Sequence, residues 1–236
     1  MSLQSQNILV VGGSSGIGLA VAHLALTEGA HIVIASRSPE KARTSLGKQI
    51  ETVTLDMSQE QQVQTFFEHH DGIFHHILVS SITPETAALL EEKTADARQT
   101  FDTKYWGSYY IAKYGIPKMA EHGSLTFISG YVGFKAKKGA ATMAAINLAL
   151  LGLARTLALE VAPRRVNVVA PGIIDTPAWQ KYSAQVREAW FSDLAKQLPV
   201  GKVGEPTDLA ESVLFLMKNT YITGMTLHVD GGQLLM

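Results

Sequence analysis

Asn7-Ile-Leu-Val-Val-Gly12-Gly-Ser-Ser-Gly16-Ile-Gly18 is the stretch that decides the fold. Its first five residues form a short, mostly apolar run, as a strand covered on both faces requires. The glycines then follow without a break. Gly12 permits a tight turn, Gly16 lets backbone approach a diphosphate, and Gly18 lets a helix pack closely on the strand. The helix that opens here offers free N–H groups and a positive dipole end to phosphates, with Ser14, Ser15 and Ile17 beside them. A glycine-rich turn alone is a weak signal; the strand before it and the helical pattern after it give it meaning.

The same alternation continues outward from this corner. His31–Ala35, Thr52–Leu55, Ile73–Val79, Ser124–Ile128, Arg165–Val169 and Met225–Val229 read as further strands, most rich in Val or Ile. Gly18–Glu28, Pro39–Leu46, Ser58–His70, a long stretch near Ala95–Ala120, Ala140–Glu160 and Thr207–Lys218 read as helices. Strand–helix alternation implies right-handed crossovers, hence an α/β fold with a doubly wound parallel sheet of seven strands. The 236 residues show no linker, repeat or low-complexity tract, so residues 1–236 are expected to form a single domain.

Composition narrows the chemistry. With no cysteine, a disulfide framework, a thiolate nucleophile and thiolate metal sites are excluded. Twenty basic against twenty-one acidic residues leave no electrostatic footprint for nucleic acid or an anionic membrane, and neither is expected as a partner. The opening residues lack a secretory pattern. The uncharged run between Lys138 and Arg155 is short for a membrane span and holds Thr142 and Asn147, so it reads as a buried helix. A soluble, cytoplasmic protein is the expectation. His69-His70 and His75-His76 suit a chelate poorly, because adjacent residues on a strand point to opposite faces; no metal is expected.

About 20 residues beyond the glycine turn, a dinucleotide fold tests the adenosine ribose. A carboxylate there would bind the ribose hydroxyls. This chain has Ser36-Arg37-Ser38 instead. Arginine pairs bidentately with a 2′-phosphate, and the flanking hydroxyls add donors. NADP(H) is therefore preferred over NAD(H).

With these residues in place, the sequence resembles the short-chain dehydrogenase/reductase (SDR) family over nearly its whole length. The resemblance rests on Gly12-x-x-x-Gly16-Ile17-Gly18, Asp56 after the third strand, and Asn167-x-Val169-Ala170-Pro171-Gly172-Ile173-Ile174-x-Thr176. It also rests on Gly204-Glu205-Pro206 and on Thr223-Gly224 followed by Val229-Asp230-Gly231-Gly232. It implies a Rossmann-type fold in which Asp56 and Met57 meet adenine, while Pro171, Gly172, Ile174 and Thr176 line the nicotinamide side. It also implies a homodimer through the long helix and Ala140–Ala154, with a homotetramer through the last strand as an alternative. Residues 177–199, with Trp179, Tyr182, Trp190 and Phe191, align with the family's substrate lid and favour a bulky or planar small-molecule substrate. Those aromatics equally suit packing of the lid onto its own domain.

The family's chemical positions have changed. Its Asn-Asn-Ala-Gly segment aligns with Ser80-Ser81-Ile82-Thr83, its catalytic Asn with Lys104, its Ser with Gly130 next to Ser129, and its Tyr and Lys with Met143 and Asn147. The family's Tyr gives a proton to the substrate oxygen; a thioether has none to give. Met143 offers a soft apolar wall instead. Asn147 keeps a donor for the nicotinamide ribose without the charge. Lys104 and Asn147 read as an exchanged pair, and Lys104 is expected to point into the cleft near Asn147. Ser129, Tyr131, Thr142 and Lys104 are the candidate proton donors, with Tyr131 also suited to an aromatic wall. Two functions follow: an NADPH-dependent oxidoreductase with a rebuilt site acting on an activated carbonyl or quinone, or a catalytically silent NADP(H)-binding sensor or interaction protein. A third, an SDR-like dehalogenase, conflicts with the intact glycine turn.

Overall fold

A computed structural model describes residues 2–81 and 87–236. Seven strands, β1 (Asn7–Val11), β2 (His31–Ser36), β3 (Glu51–Thr54), β4 (Phe74–Val79), β5 (Met119–Ile128), β6 (Arg165–Pro171) and β7 (Thr226–Val229), form one sheet in the order β3-β2-β1-β4-β5-β6-β7. Every neighbouring pair runs parallel. The strand order reverses between β1 and β4, and a crevice opens beyond their C-terminal ends, where such folds place ligands.

Among the described residues eight α-helices form, most of them packed on the two faces of the sheet: α1 (Gly16–Thr27), α2 (Glu40–Leu46), α3 (Glu60–His69), α4 (Thr94–Phe101), α5 (Gly107–Gly115), α6 (Ala141–Glu160), α7 (Ala184–Gln197) and α8 (Pro206–Lys218). Side chains alternate along each strand, so Ile8 and Val10 meet α1 and α8, whereas Leu9 and Val11 share the opposite core with Phe67, Ile111 and Leu151. Fully burying a Leu, Ile or Val contributes roughly 1.5–3 kcal/mol, so both faces hold the sheet strongly. α6 is long and apolar enough to cross a membrane by length and composition. Its Ile146, Leu150, Leu151 and Ala154 are nevertheless buried within this fold.

The long helix expected near Ala95–Ala120 is interrupted. A π-turn at Asp102–Trp106 joins α4 to α5, and a 3₁₀ turn at Ile116–Lys118 ends the helix at Pro117. Met119 already pairs with Phe74, so β5 begins five residues before Ser124, with a bulge in the ladder between Phe74 and His76. The segment 177–199 is largely helical. Ser183 caps α7 by accepting from the Val186 N–H, and Val186, Trp190 and Leu194 recur every fourth residue within it.

Candidate active site

The glycine turn is built by close approach. Gly12 adopts a φ of +81°, and a Cβ there would lie 1.8 Å from the Ser80 carbonyl oxygen at the end of β4. A Cβ on Gly18 would come within 2.6 Å of the Gly12 carbonyl oxygen, so any side chain would push α1 off the strand. Ser15 precedes α1 in extended backbone, and its side chain does not cap the helix. The first N–H groups of α1 therefore keep the donors that a phosphate accepts from.

In front of this turn lies a cavity of about 220 Å³. It brings together Gly12, Ser14 and Ser15 from the turn, Ser36, Arg37 and Ser38 after β2, Asp56 and Met57 after β3, and Ser80 and Ser81 after β4. Lys41 and Thr103 add polar groups to this lining, and Val11, Ala35 and Leu55 add its apolar floor. Ser36 Oγ is buried and has no hydrogen-bond partner among the described residues, so its hydroxyl suits a phosphate oxygen at this wall. Lys41 adds a second cation to Arg37. Nothing in the local sequence marks Lys41, at the start of α2, as a site residue, and Thr103 is brought in only by the π-turn. Asp56 accepts from Ser58 N–H at 3.0 Å and Ser58 Oγ at 2.8 Å, which fixes its carboxylate at the rim.

Other expected cofactor positions are not part of its lining. Gly16 faces Thr176, with 3.5 Å between its notional Cβ and the Thr176 side chain; Ile17 is half-buried beside the α1–α8 core. Pro171 accepts from the Tyr131 N–H at 2.8 Å, and Gly172 donates to the Val229 oxygen at 3.1 Å. Ile174 bridges to Gly204. Ile82 and Thr83 lie outside the described residues.

A second cluster forms where the π-turn meets α6. Lys104 is 6% exposed. Its Nζ donates to Asn147 Oδ1 at 2.9 Å and to the Ser129 carbonyl at 3.1 Å, and lies 3.8 Å from Met143 Sδ. Burial pushes this ammonium down to about 8. Asn147 Nδ2 donates to the Val132 carbonyl, and Ser129 Oγ to the Asn147 carbonyl at 3.1 Å. Both side chains are committed to holding the loop after β5. A Cβ on Gly130 would stand 3.0 Å from Asn147 Nδ2, so a larger residue at 130 crowds this arrangement. Thr142 is tied to Glu92 by a short hydrogen bond.

Tyr131 is 9% exposed and packs with Val132, Ala140 and Ile173, against which Met143, Trp179, Phe191 and Leu194 also lie. Trp179 donates to the Ile174 carbonyl at 2.9 Å and stands 4.8 Å from the Trp190 ring, so the segment's aromatics pack largely on one another. The paired histidines serve structure: His75 Nδ1 accepts from Asn7 N–H, and buried His76 bridges Ser124 Oγ and Gln6 Oε1. Among the described residues, no three His, Cys, Asp or Glu side chains gather as a metal site.

Known proteins share this architecture. A family model described as "Enoyl-(Acyl carrier protein) reductase" matches residues 11–233. The chain is 35% identical to "Carbonyl reductase family member 4" of Danio rerio, covering 98% of this chain and 100% of that protein. It is also 35% identical to "3-oxoacyl-[acyl-carrier-protein] reductase" of Mus musculus, over 94% and 95% of the two chains. A solved "small-chain dehydrogenase in complex with NADPH" superposes with a TM-score of 0.87 at 35% identity, covering 99% of this chain and 100% of that one. With a parallel sheet in 3-2-1-4-5-6-7 order and a glycine turn at its switch point, the chain belongs to the short-chain dehydrogenase/reductase family of oxidoreductases.

Proposed function

We propose that this protein is an NADPH-dependent reductase of a small molecule carrying an activated carbonyl. The observation that carries the reading is the cavity in which an uncapped helix N-terminus, a Ser36 Oγ with no partner among the described residues and two cations, Arg37 and Lys41, converge. Bound there, the nicotinamide cofactor supplies a hydride and its electron pair. Gly12, Ser14, Ser15 and the α1 N–H groups hold the diphosphate. Ser36, Arg37, Ser38 and Lys41 hold the 2′-phosphate, which a carboxylate at this wall would repel. Asp56 and Met57 flank the adenine; Ser80, Ser81, Pro171, Gly172, Ile174 and Thr176 line the way to the nicotinamide. The NADPH complex of the superposed dehydrogenase supports this choice of cofactor.

The substrate class follows from the rest of the site. With a thioether where a hydroxyl acid would stand, electron-poor carbonyls such as 3-oxo esters or quinones, which demand least of a proton donor, suit the site best. The names of the two curated relatives, a carbonyl reductase and a 3-oxoacyl-carrier-protein reductase, point to the same chemistry. Trp179, Trp190 and Phe191 beside Tyr131 make an apolar wall for a bulky acyl or planar group. Self-association in the cytoplasm is part of the proposal. Trp106 and Tyr109 near α5 and Leu148 and Leu159 on α6 leave apolar surface exposed, which a second copy would cover. The test is NADPH consumption with ethyl acetoacetate and with phenanthrenequinone. Turnover of either supports the reading; tight NADPH binding with no turnover of any carbonyl supports the sensor function and refutes it.

A further inference from the structure

We infer that Lys104 is the proton donor of this site, passing the proton of its third N–H to the substrate carbonyl oxygen; the inference rests on the reductase reading above. An ammonium has three donors and no acceptor. Two are spent on strong acceptors, Asn147 Oδ1 and the Ser129 carbonyl. The third contact is Met143 Sδ at 3.8 Å, a weak acceptor on a flexible side chain. Met143 lies against the buried cluster of Tyr131, Val132, Ala140 and Ile173, which Trp179 and Phe191 also pack against, so it links the ammonium to this apolar wall. A carbonyl oxygen entering from that wall is a better acceptor than sulfur and takes its place.

A buried ammonium is costly, and an apolar residue would satisfy packing at this position with less penalty. Among the described residues, no carboxylate pairs with it to repay the cost. The end of β5 and its loop bring Ser129 and Tyr131, and α6 brings Met143 and Asn147. On its own helix the nearest charge is Asp102, which is exposed. Burial alone lowers the ammonium to about 8, close to where a general acid works best. In the step, the carbonyl carbon accepts hydride from the reduced nicotinamide and forms a C–H bond. The C=O π pair moves onto oxygen, oxygen takes the Nζ proton, and the neutral amine of Lys104 is reprotonated by water.

Three variants of one experiment test this. With saturating NADPH and ethyl acetoacetate, wild-type kcat falls as pH rises through about 8. Lys104→Met loses roughly 10²–10⁴-fold in kcat, while its NADPH affinity stays within about threefold of wild type. Lys104→Arg keeps the charge but cannot release a proton at these pH values, so it fails as Lys104→Met does. Independently of turnover, nitrogen-15 NMR of cofactor-free protein shows one lysine Nζ, absent in Lys104→Met, titrating near 8. A fully active Lys104→Arg, a Lys104→Met within threefold of wild type, or an Nζ still protonated well above that range overturns the assignment while leaving the reductase reading intact. A wild-type protein that turns over neither ethyl acetoacetate nor phenanthrenequinone overturns the reductase reading itself. If Lys104→Met does not fold, the arginine variant and the wild-type titration decide.

Discussion

Replacing Lys104 by methionine should change how stability depends on pH, and the size of the change follows from its burial. The folded chain lowers this ammonium from 10.5 to about 8, through burial. A lowered value means that the unfolded chain binds the proton more tightly. The contribution to stability is therefore complete above pH 10.5 and is lost as pH falls toward 8. Each tenfold change in proton affinity corresponds to about 1.4 kcal/mol, so wild type gains on the order of 3 kcal/mol across that window from this residue. For a chain of this size that is roughly 6–12 °C in Tm. Urea unfolding of wild type and Lys104→Met at several pH values from 7.5 to 10.5 isolates the effect, because the other lysines and tyrosines titrate in both proteins. The difference between the two curves should rise toward high pH in favour of wild type. At pH 7 the sign of that difference depends on a second quantity, since methionine leaves Asn147 Oδ1 and the Ser129 carbonyl without their donor. A difference that stays flat from 7.5 to 10.5 refutes the claim that this lysine is desolvated without a balancing anion among the described residues.

Other perturbations have equally definite outcomes. Gly12→Ala places a Cβ 1.8 Å from the Ser80 oxygen, so β1 and β4 must separate at the crevice; NADPH affinity should collapse along with a lowered Tm, measured by titration and thermal melts. Arg37→Ala with Lys41→Ala removes charge-assisted bonds worth roughly 1.5–3 kcal/mol each, so NADPH should weaken by tenfold or more while NADH changes little. His76 is pushed down to about 3 by burial, with Arg165 and His75 adding to the effect. Its contribution is present above pH 6.5 and is lost as pH falls toward 3, so urea midpoints should drop through that range less steeply in His76→Asn than in wild type. Met143→Tyr combined with Asn147→Lys removes the acceptor of the Lys104 ammonium and sets a second buried cation beside it, so thermal melts should show a lowered Tm, and NADPH consumption with ordinary ketones should not rise; a gain in ketone reduction with unchanged Tm contradicts this.

How far the sequence speaks depends on whether the physics is local. Asn7–Val11 and the glycines after it carry their reading in their own composition, and the sheet built around them follows from repetition of that unit. Ser36, Arg37 and Ser38 follow β2 at the distance a ribose phosphate requires, and the fold brings them to the same cavity as the turn. Lys41 is hard to single out, because a lysine at a helix start looks like any solvated charge. The Lys104–Asn147 contact spans 43 positions and is suggested only by the family resemblance, since nothing in the local sequence marks a lysine as buried. The early start of β5 at Met119 is hidden by Pro117 and the helical residues before it, and the pairing with Phe74 overrides that signal. In α7, the spacing of Val186, Trp190 and Leu194 is visible but diluted by Arg187, Glu188, Asp193 and Lys196 among them.

Recognition of the 2′-phosphate at the crevice beyond β1 and β4 is read directly by calorimetric titration of the wild-type protein with NADPH and, separately, with NADH. A saturable one-to-one isotherm with NADPH, and binding at least tenfold weaker with NADH, is the expected result. NADH binding as tightly as NADPH, or an absence of binding by both, contradicts it.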